Sequence, residues 1–355
     1  MIRAVDHIRS MAAYALADLG DAGTVSLAQN ESAFPASPKA IAAGQAVMGQ
    51  MPLYPDPDWP ELRAAIAEVH KLDPNTILCG AGSMELIGCL IRTFAGPGDR
   101  VLGTDYGYAY VASATAQVQA DYVQAREVDL TVSVDDILAA VTPQTRIVFV
   151  CNPGNPTGTL IPNAEIIRLR DDLPKDVLLV VDQAYAEFAD EDQNPAEIFD
   201  LAGRGDTVVM RTFSKAYGLA GARVGWGVFP PAIAVEMRKV LNPNNVSIPS
   251  QAMATAAMRD QAHMRETVNQ TAAIRDRFAE GCRALGLSVP PSHTNFVLIR
   301  FADFETARKA DQALRAEGLL MRGMDGYGLA DCLRATICRE AIMDRCMAVL
   351  RKVMS

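Results

Sequence analysis

The sequence predicts an α/β fold: a mostly parallel central sheet sandwiched by helices, followed by a smaller α+β C-terminal domain. Three observations carry that expectation. From about residue 60 to 230, short apolar runs alternate with segments of helical periodicity, the pattern of strand–helix–strand units. The runs are near-continuous in Val, Ile and Leu, as strands covered on both faces require. After Pro290-Pro291 the pattern shifts to a few strands and helices of a separate, smaller unit.

Taken in order, the first 50 residues read as an arm that packs with the small domain. Within it, Met11–Ala17 is apolar, ends at Asp18 and lacks a cleavage-like context, so it reads as a helix and not as a signal peptide. Residues 51–285 form the large domain. Its strands are expected at Thr76–Cys79, Arg100–Thr104, Arg146–Cys151, Val177–Asp182, Thr207–Thr212 and Arg223–Val228. Its helices are expected at Pro60–His70, Ser83–Phe94, Asp135–Ala140 and Asn163–Leu173, with a strongly helical stretch from Pro230 to about Leu285. Residues 286–355 form the small domain. Strands are expected there at Thr294–Arg300, Leu319–Arg322 and Cys332–Ile337, and helices at Phe304–Glu317 and Arg339–Val353.

Composition narrows the function. The chain has 355 residues, half of them hydrophobic and 21% charged, with a net charge of −9. No Lys/Arg-rich run interrupts that negative balance, which argues against a nucleic-acid partner. No apolar run approaches the roughly 18–20 residues that span a bilayer. The seven cysteines are dispersed without a Cys-x-x-Cys pair and read as reduced thiols of a cytoplasmic protein. The four histidines, His7, His70, His263 and His293, are far apart and give no metal-site spacing.

The chemistry begins at Lys215, in Arg211-Thr-Phe-Ser-Lys-Ala-Tyr-Gly-Leu-Ala-Gly-Ala-Arg-Val-Gly-Trp-Gly227. The hydroxyls of Thr212 and Ser214 and the guanidinium of Arg223 can grip a phosphate dianion through charge-assisted hydrogen bonds. The glycines let backbone approach a ligand closely. The grouping suits a lysine that condenses with a phosphorylated aldehyde. Gly80-Ala-Gly-Ser-Met-Glu-Leu-Ile87 follows an expected strand and opens a helix, so its N–H groups can meet a phosphate. On its own, that segment reads more readily as a ligand-free turn. Thr104-Asp-Tyr-Gly-Tyr-Ala-Tyr110 sets three tyrosines at alternate positions, which by themselves can simply pack at a strand end. Cys151-Asn-Pro-Gly-Asn-Pro-Thr-Gly158 marks a rigid non-regular loop. Asp182 ends a very apolar strand. A buried carboxylate there needs a partner, such as a protonated pyridine nitrogen; capping of the following loop is the plainer alternative.

These motifs, in this order and over nearly the whole chain, resemble the fold-type I pyridoxal-phosphate aminotransferases of class I/II. The resemblance implies pyridoxal 5'-phosphate as cofactor and Lys215 as the catalytic residue that carries it. It implies that Gly82, Ser83, Met84, Thr212, Ser214 and Arg223 hold the phosphate. Asn155 and Tyr185 would hydrogen-bond the ring oxygen, and Asp182 would pair with the ring nitrogen. An aromatic ring would stack on the cofactor: Tyr106 is the match by its offset from the strand, and Tyr108 stays open. Tyr54-Pro-Asp-Pro57 resembles the motif whose tyrosine reaches the neighbouring subunit's cofactor phosphate, implying a homodimer with shared active sites. Leu27-Ala-Gln-Asn-Glu31 resembles the arm segment lining the substrate site, which brings in Asn30. In Cys332-Leu-Arg-Ala-Thr-Ile-Cys338, Arg334 matches the arginine for the substrate's anionic group; Cys338 stands where the family often has glycine.

Within the family, Leu241-Asn-Pro-Asn-Asn-Val-Ser-Ile-Pro-Ser-Gln251, the short overall length and Gly326-Tyr-Gly-Leu329 look most like the histidinol-phosphate branch, in histidine biosynthesis. That branch takes a phosphate-ester amine as donor and 2-oxoglutarate as acceptor, and Arg322 would assist Arg334 with the phosphate. Aromatic-amino-acid aminotransferases and threonine-phosphate decarboxylase-like lyases share this frame. A non-catalytic cofactor-binding regulator is a further alternative, disfavoured because no basic N-terminal region is present.

Overall fold

The computed structural model describes residues 2–13, 18, 20, 23–189 and 194–355. The strands in chain order are β1 (Val25–Ser26), β2 (Ile77–Gly80), β3 (Arg100–Thr104), β4 (Asp121–Ala125), β5 (Glu127–Val128), β6 (Thr131–Val132), β7 (Thr145–Cys151), β8 (Leu178–Asp182), β9 (Thr207–Thr212), β10 (Gly225–Val228), β11 (Phe296–Arg300), β12 (Leu319–Leu320), β13 (Arg322–Met324) and β14 (Leu329–Thr336). Seven of them form one sheet in the order β2-β10-β9-β8-β7-β3-β4. All neighbours in it are parallel except β10, which runs antiparallel to β2 and β9.

The central strands are apolar at nearly every position because helices cover both faces. Val180, Val181, Val208 and Val209 are all fully buried. The helix Ser83–Phe94 shows how the sequence dictates this packing. Leu86, Ile87, Leu90 and Ile91 fall at helical spacing and are buried, each contributing about 1.5–3 kcal/mol. The helix starts after Gly82, whose φ of 83° is open to glycine. Glu85 reaches back to accept from the Ala81 N–H at 2.6 Å, which ties down the turn between β2 and the helix.

A second apolar core lies among the last 80 or so residues, from Ile274 and Phe278 to Val349 and Leu350, and takes in Leu27 of the arm. The expected strand Leu319–Arg322 is two strands. Leu319 and Leu320 pair in parallel with Val25 and Ser26 of the arm, whereas Arg322 joins β14 in a three-stranded sheet ordered β11-β14-β13. At the N-terminus a short helix covers Asp6–Ser10. Of the helix expected over Met11–Ala17, residues 11–13 are not helical and residues 14–17 lie outside the described residues. Among the described residues, no helix is long and apolar enough to cross a membrane.

Candidate active site

Parallel strands deliver side chains to one edge of the sheet, where their carboxyl ends open a crevice. Here a cavity of about 410 Å³ sits at the ends of β7, β8 and β9. Thr212 closes β9 and Asp182 closes β8; Lys215 follows three residues after Thr212.

One end of the cavity is built for an anion. Ser83 and Met84, at the positive end of the helix after β2, line it beside Thr212, Ser214 and Arg223. Thr212 Oγ1 accepts from the Ser214 N–H at 3.1 Å and lies 3.0 Å from Ser214 Oγ. Arg223 has a left-handed backbone, φ 55°, and its Nη1 donates to the Ala220 carbonyl at 2.9 Å. Gly82 does not line the cavity but backs it: a Cβ there would collide with the Arg223 guanidinium. A Cβ on Gly225 would collide with the Ser83 N–H that faces the site.

Lys215 lies between this cradle and the arm. Its Nζ donates to the Asn30 carbonyl at 2.9 Å and the Gln29 carbonyl at 3.2 Å. Burial, and next the charge of Arg334, lower its pKa to about 7. At neutral pH a large fraction of this amine is therefore unprotonated and nucleophilic. Asp182, 5% exposed, accepts from the Ala184 N–H at 3.1 Å and lies 3.9 Å from Cys151 Sγ. It has no ion pair among the described residues, and burial raises its pKa to about 6. Behind it, Arg211 bonds Glu187 at 3.1 Å and Gln183 at 3.1 Å, tying the ends of β8 and β9 together.

The far wall comes from the arm and the smaller core. Asn30, at φ 56°, donates from Nδ2 to the Tyr185 hydroxyl at 2.9 Å and accepts on Oδ1 from Thr336 Oγ1 at 3.2 Å. Arg334 donates to Asn155 Oδ1 at 2.6 Å and to the Ala28 carbonyl at 2.7 Å. With its carbonyl so occupied, Asn155 offers the cavity its amide N–H groups. Arg322 stands directly opposite Arg334 across the β13–β14 ladder, and both line the cavity.

The structure thus brings together Asn30, Ser83, Met84, Asn155, Asp182, Tyr185, Thr212, Ser214, Lys215, Arg223, Arg322 and Arg334, drawn from the arm, the large sheet and the last strands of the chain. Three expected residues do not line the cavity: Gly82, which lies behind Arg223, Tyr106 and Tyr54. Tyr106 packs against the small cluster of Leu298, Met324, Leu329 and Cys332, and Tyr108 lines the cavity instead. The reason is local: the chain turns after β3, with the Gly107 N–H bonded to the Thr104 carbonyl at 2.9 Å. Tyr106 is carried away on that turn, and Tyr108 precedes the helix Ala109–Gln117. Tyr54 is 88% exposed and outside the cavity. Gln29, Glu31 and Tyr327 also line it; only the arm motif pointed toward the first two.

This donor set fits pyridoxal phosphate. It offers an amine of lowered pKa, a buried carboxylate without a cation, and hydroxyls, a guanidinium and a helix N-terminus converging where glycines leave room.

Comparison with known proteins agrees. The family model for aminotransferase class I and II matches residues 22–350. A histidinol-phosphate aminotransferase of Paramagnetospirillum magneticum is 45% identical over 314 residues, 88% of this chain and 86% of that protein. One from a Jannaschia species is 41% identical, covering 93% of this chain and 91% of its own. Among solved structures, the histidinol-phosphate aminotransferase of Sinorhizobium meliloti in complex with pyridoxal-5'-phosphate superposes with a TM-score of 0.90 at 29% identity, covering 100% of this chain and 98% of its own.

Proposed function

The chain belongs to the class I and II aminotransferases and is a pyridoxal-phosphate-dependent transferase; from that premise we propose that it transfers the amino group of histidinol phosphate to 2-oxoglutarate. The observation that carries the choice of donor is the pairing of Arg322 with Arg334 across one ladder at the cavity wall. A phosphate dianion has oxygens for two guanidinium forks, whereas one arginine satisfies a single carboxylate. The names of the relatives at 41–45% identity support the same donor.

Bound pyridoxal phosphate supplies an aldehyde and a ring that accepts electrons when the donor carbon is deprotonated. Lys215 would hold that aldehyde, and its Nζ, once freed by the donor amine, would take the proton from the donor's amine-bearing carbon. The lowered pKa of about 7 suits a base working near neutrality. Asp182 would keep a proton on the ring nitrogen, a pairing that would offset the cost of burying its carboxylate. Asn155 and Tyr185 would orient the ring through its oxygen, and Tyr108, which lines the cavity, would stack on it. Ser83, Thr212, Ser214 and Arg223 would anchor the phosphate, each charge-assisted bond contributing about 1.5–3 kcal/mol.

The same reading includes a cytoplasmic homodimer whose sites are shared through Tyr54, an arm over residues 1–50, a large domain over 51–285 and a small one over 286–355. The test of the donor is to mix holoenzyme with histidinol phosphate, phenylalanine and aspartate and follow conversion of the cofactor absorbance. Histidinol phosphate should react fastest. Arg322→Ala should then weaken it by about ten-fold or more while affecting phenylalanine less. Faster turnover of phenylalanine by wild type would assign the chain to aromatic donors instead.

A further inference from the structure

Resting on histidinol phosphate as the donor, we infer that Glu31 reads the donor's imidazole ring, accepting its N–H, and so sets donor against acceptor specificity.

Among the described residues, the cavity leaves one part of the donor and one carboxylate without a partner. It is lined by two carboxylates and several cations. Asp182 lies at the buried end of β8 and serves the cofactor ring. Arg322 and Arg334 take the donor's phosphate, and Lys215 meets the carbon that bears its amine. The imidazole is the remaining part of the donor, and Glu31 is the remaining carboxylate. No hydrogen bond or ion pair engages the Glu31 carboxylate among the described residues. It stands close enough to Lys215 to act on it, its charge opposing the burial and the Arg334 charge that lower that amine's pKa.

Glu31 is exposed, but its backbone is built in. Lys215 donates to the carbonyls of Gln29 and Asn30. Asn295 Nδ2 donates to the carbonyls of Asn30 and Glu31, at 3.1 and 3.2 Å. The Asn30 N–H donates to Thr336 Oγ1 at 2.9 Å. Held from both sides, the segment fixes the Glu31 backbone where its side chain lines the cavity. An imidazole donates an N–H when neutral and is a cation when protonated, so a carboxylate suits both forms. A phenyl ring offers it nothing. The dicarboxylate 2-oxoglutarate, which enters the same cavity in the other half-reaction, is repelled by it.

The two half-reactions report separately, because in a double-displacement enzyme each substrate has its own kcat/KM. The experiment measures kcat/KM for histidinol phosphate and for 2-oxoglutarate in wild type and Glu31→Gln, the side chain being exposed and the change isosteric. The ratio of donor to acceptor kcat/KM should fall by about ten-fold or more, the scale of one charge-assisted hydrogen bond. Glu31→Asp should recover part of the ratio. An unchanged ratio, whether both constants fall together or neither moves, would overturn the inference and leave the donor assignment standing. Wild type that fails to convert histidinol phosphate would overturn both.

Discussion

Lys215 meets two opposed demands: it must sit in a buried site, and it must be unprotonated to react. Burial meets both, because removing an ammonium from water lowers its pKa, here to about 7. The cofactor-free protein should show the corresponding cost. Between pH 7 and the ordinary lysine value of 10.5 the unfolded chain binds a proton that the folded chain releases. Stability due to this group therefore rises with pH across that window and is lost as pH falls through it. Lys215→Met removes the charge. We expect the cofactor-free variant to be more stable than wild type at pH 7, with the gap closing by pH 10, in urea denaturation at several pH values. A gap independent of pH would mean that Lys215 is not held against its charge. Asp182 is the complementary case, a carboxylate whose pKa burial raises to about 6. Asp182→Asn keeps the shape and loses the charge. The cofactor should stay bound through its phosphate, while turnover falls roughly 100-fold or more; a near-normal rate would make Asp182 a structural residue.

At the scale of elements, the phosphate cradle depends on how closely three backbones approach. Gly225 opens β10, opposite Gly80 on one side and Thr212 on the other. A Cβ there collides with the Ser83 N–H, not with a flexible side chain. Gly225→Ala must push the start of the helix Ser83–Phe94 out of line. Cofactor affinity should drop by roughly ten-fold or more, one charge-assisted bond being about 1.5–3 kcal/mol, in equilibrium dialysis of the cofactor. Unchanged affinity would show that the Ser83 N–H does not contact the phosphate. Elements like this were legible in sequence where a whole strand or one face of a helix is buried. Arg100–Thr104, Thr207–Thr212, Pro60–His70 and Ser83–Phe94 fall where apolar runs and punctuation put them. The reading fails where burial is partial or tertiary contacts decide. β4 is an edge strand carrying Asp121 and Gln124, so its apolar signal is diluted. The expected strand at Arg223 begins only at Gly225, because Arg223 is left-handed. The antiparallel direction of β10 is written in no local pattern. In the site, motif residues were legible because each carries its own chemistry, whereas the choice between Tyr106 and Tyr108 depends on a single turn. Glu31 gains its place through the neighbouring Asn30, whose backbone is held by Lys215, Asn295 and Thr336, 185, 265 and 306 residues away.

At the scale of the whole molecule, the surface around Tyr54 is unfinished. Met48, Met51, Leu53 and Tyr54 are all more than half exposed within seven residues, and exposed apolar side chains grouped in this way suit an interaction site. A second copy of the chain is the occupant the family reading supplies, with Tyr54 entering the partner's site. Sedimentation should then give about twice the 38.2 kDa of one chain. Subunit mixing tests the sharing itself. Lys215→Ala chains are inactive but keep Tyr54; Tyr54→Ala chains are impaired but keep Lys215. If Tyr54 serves the partner, a mixed dimer has one site missing both groups and one site complete. Random exchange makes about half the dimers mixed, so about a quarter of all sites should be restored. The mixture should therefore exceed the average activity of its two parents, and the excess should vanish when exchange between subunits is blocked by crosslinking before mixing. If Tyr54 instead served its own chain, each site in the mixed dimer would carry one defect and no activity would be gained. A mixture that only averages its parents would thus remove Tyr54 from the shared site, even if the protein proves dimeric.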